Sequence, residues 1–453
     1  MDAAARDFDV VVVGGGMAGL AAALAAAEAG AGVALAEAAE ALGGNARLAA
    51  GMFVGSSDPA GLAAYVPDGD PGLQRAFCAD YEPALAWLAG LGLPLGPLVA
   101  RRDFRKVRAM GLGRPGAREP FLASLAAAAQ ARGVAIRTGS PVRGLAVAPG
   151  GWSLELGGVA AGRLSARAVV LATGGFAASP ELLARHMGPA AAALRCRSLP
   201  GAAGDGLRLA QALGAATGGD MQAFYGHSMA DCPLAPEDWQ PLTPYFSRYG
   251  VLVNRDGRRF VDESASLLEE LNPQVGFRQP GGTYWLLFTD AVRQEEAAAS
   301  IAEGILPQPD WLARARACGA PIRAAPSLAA LAAGLAEEGV AASAFLAEIE
   351  RYNAACRAGT AAALAPAKAR NAIALDAPPI FAMRCVAGIT ATCGGIAVDE
   401  RLRVLDRNGR PLAGLHAAGV DAGGVYGRTY GGFLAWALVS GRRAGSAAAL
   451  PAA

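Results

Sequence analysis

Residues Phe8 to Val13 form a short apolar, β-branched run, the pattern of a strand buried in a parallel sheet. Gly14-Gly15-Gly16-Met17-Ala18-Gly19 follows, and then an alanine-rich stretch with helical character to about Ala29. Val33 to Glu37 reads as a second strand. Helical spacing returns over Leu73–Leu91 and Glu119–Arg132, and strands are predicted at Val134–Thr138, Trp152–Leu156 and Leu164–Leu171. A turn at Gly150-Gly151 precedes the second of these, and the third closes on Ala172-Thr173-Gly174-Gly175. Beyond Asp220 the character changes. Phe224, Tyr225, Trp239, Tyr245, Phe246, Tyr249 and Phe260 crowd into 221–260, helical alanine-rich segments run from Ser327 to Ala358, and Pro378-Pro379 breaks the chain. A closing helix is predicted over Leu434–Ala449. Strands that alternate with helices at both ends of the chain predict an α/β domain built from two pieces and interrupted by an inserted one.

Composition narrows the partners. The 40 Lys and Arg nearly balance the 39 Asp and Glu, so no global charge points to nucleic acid or to an anionic membrane. The hydrophobic fraction of 53% is largely alanine, and Glu, Arg, Gly or Pro interrupts every candidate membrane span, so no stable insertion is expected. The first residues, with Asp2, Arg6 and Asp7, lack the basic start and apolar run of a signal peptide, and a cytoplasmic location is expected. The seven cysteines are scattered without a CxxC pair and read as reduced thiols, not as a disulfide frame. With only three histidines, at His186, His227 and His416, no metal site is expected.

The glycine turn carries the first chemistry. Gly14, Gly16 and Gly19 make G-x-G-x-x-G between a strand and a helix. The first allows the tight turn, the second lets the backbone approach a pyrophosphate, and the third lets helix and strand pack closely. The helix start, with Met17 and Ala18, offers N–H groups and a positive dipole end. Glu37 closes the second strand where a carboxylate can accept from a ribose hydroxyl and repel a 2′-phosphate. A second glycine turn, Leu42-Gly43-Gly44-Asn45, extends the cradle; Ala172-Thr173-Gly174-Gly175 and Leu415-His416-Ala417-Ala418-Gly419-Val420-Asp421 add elements further along. Four elements spread over the whole chain suit an extended FAD better than NAD. No second such turn follows a strand, so the electron partner is an organic substrate together with an acceptor the residues do not reveal.

These segments resemble the flavoprotein subunits of fumarate reductase and succinate dehydrogenase, with the related tricarballylate and 3-ketosteroid dehydrogenases. The resemblance rests on GGGMAGLAAA, LGGNA, VVLATGGF, GDGLRLAQALGA, VLVNRDGRRFVDE, ERYNAAC, TCGGIAVDERLRVLD and GLHAAG…YGGFLAWALVSGRRAG. It implies a Rossmann-like FAD-binding domain of the glutathione-reductase type over 1–221 and 390–453, with an α+β capping domain over 222–389. It also implies hydride transfer between flavin N5 and a carbon of a C–C or C=C bond. His227 falls on the family's substrate-binding histidine, while a second histidine is replaced by Thr390. The acid arginine of fumarate reductases falls near Leu267, and no arginine stands between Arg259 and Arg278. Arg428 is the match to the substrate-clamping arginine, in a GRTYGG segment one residue shorter than the family's. Ala46 and Arg47 stand where membrane-complex members carry a flavin-linking histidine, so FAD is expected to be non-covalent. Asp421 stands one position beyond the family's ribityl-contacting acid, either taking over that contact or pointing to solvent. Gly432 joins the cofactor contacts.

The candidate chemistry centres on His227 as substrate contact and Arg428 as a guanidinium anchor for carboxylate or carbonyl oxygen. Tyr430, flanked with Tyr426 around that arginine, is a phenol able to donate to a developing enolate, with packing as the alternative. Thr390 is a lesser polar contact, and Tyr245 and Tyr249 are candidate bases. The basic cluster Arg101, Arg102, Arg105, Lys106 and Arg108 reads as a solvated face or an anion dock. The expected activity is dehydrogenation or reduction of a C–C bond beside a single carbonyl or carboxylate on a small molecule. A ketosteroid-type or aromatic-ketone dehydrogenase and a non-catalytic electron carrier or sensor are the alternatives. An amine oxidase is disfavoured by the motifs.

Overall fold

The computed structural model describes residues 6–101, 103–110, 118–239, 241–267, 269–295 and 311–450. The chain forms two compact units: Met1–Leu182 with Ser198–Phe224 and Ala391–Ala453, and Leu183–Arg197 with Tyr225–Thr390. The expected boundaries put Leu183–Arg197 in the first piece. It belongs instead to the second, because Arg195 and Cys196 pair in parallel with Gly388 and Ile389.

In the first unit, four consecutive valines, Val10 to Val13, lie in a strand over Phe8–Val13 that is flanked on both edges. Val33–Ala36 pairs with it in parallel on one side and Gly162–Leu171 on the other. The sheet order is Arg403–Leu405, Pro411–Ala417, Gly162–Leu171, Phe8–Val13, Val33–Ala36, Ala135–Arg137. All neighbours run parallel except the first pair. The turn at Gly150-Gly151 joins Val142–Ala148 to Gly151–Leu156 in a hairpin that attaches to Gly162–Leu171.

The helix Met17–Glu28 is buried from Met17 through Ala26. Its alanines meet the closing helix Phe433–Ala449 at backbone distance: a Cβ on Gly441 would stand 2.2 Å from Ala18 O, and one on Gly445 2.1 Å from Ala22 O. Small side chains on both faces are what allow that approach. Among the described residues no helix is long and apolar enough to cross a bilayer.

The second unit is built on the long strand Ile380–Thr392, antiparallel to Thr283–Phe288 and to Ile322–Ala325. Its core is aromatic: Phe288 stacks on Phe381 with centroids 5.1 Å apart, and Phe246 lies 4.7 Å from Trp311. The alanine-rich helical stretch splits into Leu328–Glu337 and Ala342–Arg357, with Gly339 at φ 83° between them. Within RRFVDE, Arg259 and Glu263 form a fully buried ion pair at 2.6 Å that Lys368 joins at 3.4 Å, so that motif is structural support. The expectation of scattered reduced thiols needs correction, since Cys232 and Cys318 are joined in a disulfide; the fold brings together two residues 86 apart. The basic cluster is also not one solvated face. Arg105 is buried against Asp103 and Lys106 pairs with Glu82, while Arg102 lies outside the described residues.

Candidate active site

Doubly wound sheets bind ligands beyond the carboxyl ends of their strands. Val13, Ala36, Leu171 and Ala417 end four neighbouring strands here, and the residues that follow them are the turn at Gly14, Glu37, the turn at Ala172 and the Gly419 segment. Gly14 sits at φ 106°, with a would-be Cβ 2.2 Å from Ala172 O, so only glycine fits. A Cβ on Gly19 would stand 1.8 Å from Gly14 O. At Gly16 the space is open, the nearest atoms being Gly43 O at 3.9 Å and Gly44 Cα at 4.0 Å. No side chain caps the helix that begins at Met17, and no acidic residue stands in its first turn, so its leading amides suit a pyrophosphate. The second glycine turn is tied on by a hydrogen bond from Gly43 N to Gly15 O, 2.8 Å. At Gly174, φ 97°, nothing lies within 4 Å of a would-be Cβ. A backbone-lined cradle of this kind fits a dinucleotide.

The polar side chains predicted for the cradle prove to be largely engaged with its own backbone. Glu37 accepts from Gly15 N–H at 2.6 Å and Ala39 N–H at 2.7 Å. Asn45 donates to Ser198 Oγ at 2.6 Å and accepts from Leu199 N–H at 2.7 Å. Asp421 is buried and does not point to solvent. It accepts from Thr173 N–H, from Thr173 Oγ1 at 3.1 Å and from Gly175 N–H at 2.9 Å, bracketing the turn, and burial raises its pKa. Thr173 Oγ1 also accepts from Gly206 N–H at 2.9 Å. Gly419 donates to Ser440 Oγ and accepts from Trp436 Nε1, both at 2.8 Å.

The candidates on the Tyr426–Gly432 loop fare unevenly. Arg428 is an exposed side chain, 71% accessible, with Asp220 at 3.9 Å; within its own unit it is not in a dry anchor site. Tyr430 is partly exposed and packs 5.4 Å from Phe433. Tyr426 is corrected to a core residue: it is fully buried and its hydroxyl donates to Gly432 O at 3.2 Å. That bond helps hold Gly432, at φ 129°, in contact with the strand at Val54, where a Cβ would meet Val54 O at 1.8 Å.

The second unit holds a line of titratable side chains. His227 lies on the strand Phe224–Ala230, 3% exposed. Its Nδ1 is 2.6 Å from Glu269 Oε1, and its Nε2 is 2.7 Å from the Tyr225 hydroxyl. Glu269 is fully buried, adopts φ 60°, and also accepts from Ser247 Oγ at 2.6 Å. Tyr225 is partly exposed, so the line runs from a buried carboxyl group to an accessible phenol. Burial, with the Arg197 charge, holds His227 well below its ordinary pKa. Burial pushes Glu269 well above the usual carboxylate range, with Glu270 adding to it and Ser247 opposing. Both shifts favour neutral partners. The Tyr245 ring stands edge-on to His227 at 5.1 Å, whereas Tyr249 lies under Arg248 at 5.1 Å, a cation–π contact. Thr390 Oγ1 is buried with no partner among the described residues.

No motif in the sequence marks Tyr225, Glu269 or Ser247 as members of this line. The first was detectable: residues two apart on a strand share a face, which puts Tyr225 beside His227. Glu269 arrives from a loop 42 residues away, a pairing no local pattern announces.

A parallel-sheet fold with a glycine cradle open to a pyrophosphate defines a dinucleotide-binding class. Residues 9–432 match the FAD binding domain family, and the chain belongs to it. It is 28% identical over 291 residues, 63% of this chain and 46% of the relative, to a fumarate reductase (cytochrome) of Shewanella frigidimarina. To 4-oxocyclohexanecarboxylate 2-dehydrogenase of Sinomonas cyclohexanicum it is 31% identical over 319 residues, 61% of this chain and 52% of that one. The chain thus spans about half the length of the curated relatives it matches. Among solved structures, the open conformation of a flavocytochrome c3 fumarate reductase superposes with a TM-score of 0.70 at 26% identity, over 98% of this chain and 78% of that one. The 3-ketosteroid-Δ4-(5α)-dehydrogenase of Rhodococcus jostii RHA1 shares the fold, with a TM-score of 0.76 at 23% identity over 99% of both chains.

Proposed function

We propose that this chain is an FAD-dependent oxidoreductase that moves hydride to or from a carbon of a C–C or C=C bond beside one carbonyl or carboxylate. FAD, when bound, supplies the hydride acceptor or donor, with Gly14, Gly16, Met17, Ala18, Gly19, Gly43, Gly44 and Gly174 lining its cradle and Glu37 near its ribose. The observation that carries the reading is the Glu269–His227–Tyr225 line, with gaps of 2.6 and 2.7 Å. Breaking or making a C–H bond next to a carbonyl needs a group that takes or gives a proton. Tyr225 is that group, the accessible end of the line. His227 shares a proton with it through Nε2, and Glu269 fixes the imidazole through Nδ1. With Glu269 and His227 neutral the line gives a proton: Tyr225 releases its own to the carbon, Nε2–H replaces it, and Glu269 returns one to Nδ1 and ends as a carboxylate. Taking a proton from the carbon is the reverse and starts from that carboxylate.

Support for a singly activated substrate comes from the residues that stand where the fumarate reductases resembled here carry dicarboxylate contacts: Leu267 and Thr390. The relatives' names span fumarate and a cyclic keto acid. Small ketones and monocarboxylates are therefore the substrates to try first. The test is washout of deuterium from the α-carbon of such a substrate by oxidised enzyme in ordinary water. Tyr225→Phe should retain FAD while slowing both washout and turnover about a hundredfold, on the order of 2.7 kcal/mol. Undiminished washout in Tyr225→Phe overturns the assignment, and rapid reoxidation of the reduced protein by fumarate overturns the substrate class.

A further inference from the structure

The same unit holds a buried cation, Arg197, whose charge also acts on His227 and Glu269. Arg197 is only 7% exposed, and its guanidinium is held by a bond from Nη2 to Trp239 O at 3.3 Å and by the Tyr245 hydroxyl. Its Nε and Nη1 are buried with no acceptor among the described residues. A buried guanidinium left in that state is costly unless an anion completes it.

The position is built, not accidental. Arg197 N–H donates to Ile389 O at 2.8 Å, which pins the backbone. The stem of the side chain lies over Gly388, where a Cβ would come within 2.6 Å of Arg197 Cδ, so glycine is what leaves room for it. Arg197 lines a cavity of about 460 Å³ together with Arg195, Asp231, Cys232, Leu234 and Trp239. The only carboxylate among those lining residues is Asp231, which already accepts from Arg384 Nε at 2.7 Å and stands 3.9 Å from Arg195. The wall is thus cationic at one end, and Leu234 and Trp239 make it apolar elsewhere. A volume of this order suits a small organic molecule. The planar guanidinium suits a carboxylate, which accepts several N–H bonds at once.

We propose that this cavity binds a small carboxylate with an apolar body, its carboxylate on Arg197 and its body against Trp239 and Leu234. The inference concerns binding alone. Calorimetric titration of the FAD-loaded protein with benzoate and with cyclohexanecarboxylate tests it, benzamide serving as the neutral counterpart. Both acids should bind, and benzamide at least tenfold more weakly. Arg197→Gln should lower benzoate affinity at least twentyfold with FAD content unchanged, and the exposed Arg195→Gln no more than threefold. Gly388→Ala, which crowds the stem of Arg197 without removing its charge, should also weaken binding. Cys196 is an exposed thiol on the same wall, so benzoate should slow its alkylation in the unmodified protein even if Arg197→Gln fails to fold. Benzamide binding as well as benzoate, unchanged affinity in Arg197→Gln, preference for inorganic phosphate, or alkylation of Cys196 indifferent to benzoate would each overturn the proposal.

Discussion

The two units arrange their polar groups in opposite ways. Around the cofactor cradle of the first, the surfaces offered to a ligand are backbone amides and glycine Cα atoms, while the acids Glu37 and Asp421 accept from Gly15, Ala39, Thr173 and Gly175. In the second, polar side chains face one another: the buried Glu269 and His227 against the partly exposed Tyr225, and Arg197 with two nitrogens unanswered. A backbone cradle is rigid and indifferent to pH, because amides do not titrate. A buried side-chain cluster can store and move protons, but each member needs partners that a single replacement removes. The first design should therefore fail when atoms are added and the second when hydrogen bonds are lost.

Gly19→Val is the most severe way to break that contrast. Its side chain would begin 1.8 Å from Gly14 O, so strand and helix must separate, at a cost of about 4 kcal/mol or more. The protein should purify without flavin absorbance; full FAD content would show that the turn does not set the cradle.

The claim that the first unit is insensitive to pH has one exception to probe, His416, which lies on the strand Pro411–Ala417 beneath the cradle. Burial lowers its pKa to about 4, and its Nδ1 has no partner among the described residues. The unfolded imidazole, near 6.5, binds protons that the folded one refuses. Stability should therefore be full above pH 6.5 and fall as pH drops from there towards 4, by on the order of 3 kcal/mol. Urea midpoints at pH 7 and pH 4.5 should converge between wild type and His416→Gln in their pH dependence if some other group supplies the slope. A flatter profile in the variant is the expected outcome.

Glu269→Gln sharpens the other half of the comparison. It keeps the volume and the FAD but removes the group that fixes His227, and turnover should drop by about tenfold to a hundredfold, 1.4–2.7 kcal/mol. A variant with wild-type turnover would reduce the line to a structural contact. The smallest effect is expected at Glu37→Ala, where FAD affinity should weaken by about 1–2 kcal/mol, since the carboxylate's bonds to Gly15 and Ala39 are lost while the backbone cradle remains. Unchanged affinity would mean that those bonds do not shape the turn.

The same contrast explains what could be read beforehand. The strand, turn, helix and strand from Phe8 to Glu37 follow from local rules: β-branched runs, glycines where no Cβ fits, and alanine periodicity. The long helices over Pro71–Gly90 and Phe433–Ala449 follow from the same periodicity. Site residues were less legible in proportion to their distance from a motif. His227 is visible through resemblance, Tyr225 through its spacing on the strand, and Glu269 not at all. Tyr426 misleads, because a tyrosine beside a candidate arginine looks reactive until its full burial is known. The disulfide between Cys232 and Cys318 was hidden for the same reason as Glu269, since pairing across 86 residues leaves no periodic trace.

By itself the sequence determined the nucleotide fold, because the constraints there are local and steric: a positive φ, a close approach, a buried run. Tertiary structure alone decided which charges would be neutralised and which left open. Nothing near Arg197 in the chain distinguishes it from Arg195 two residues earlier, yet one is exposed beside Asp231 and the other is enclosed with unanswered N–H groups. The cost of burying a charge depends on every group that surrounds it, and those groups are gathered from Trp239, Gly388 and Ile389, distant parts of the chain that only folding brings together.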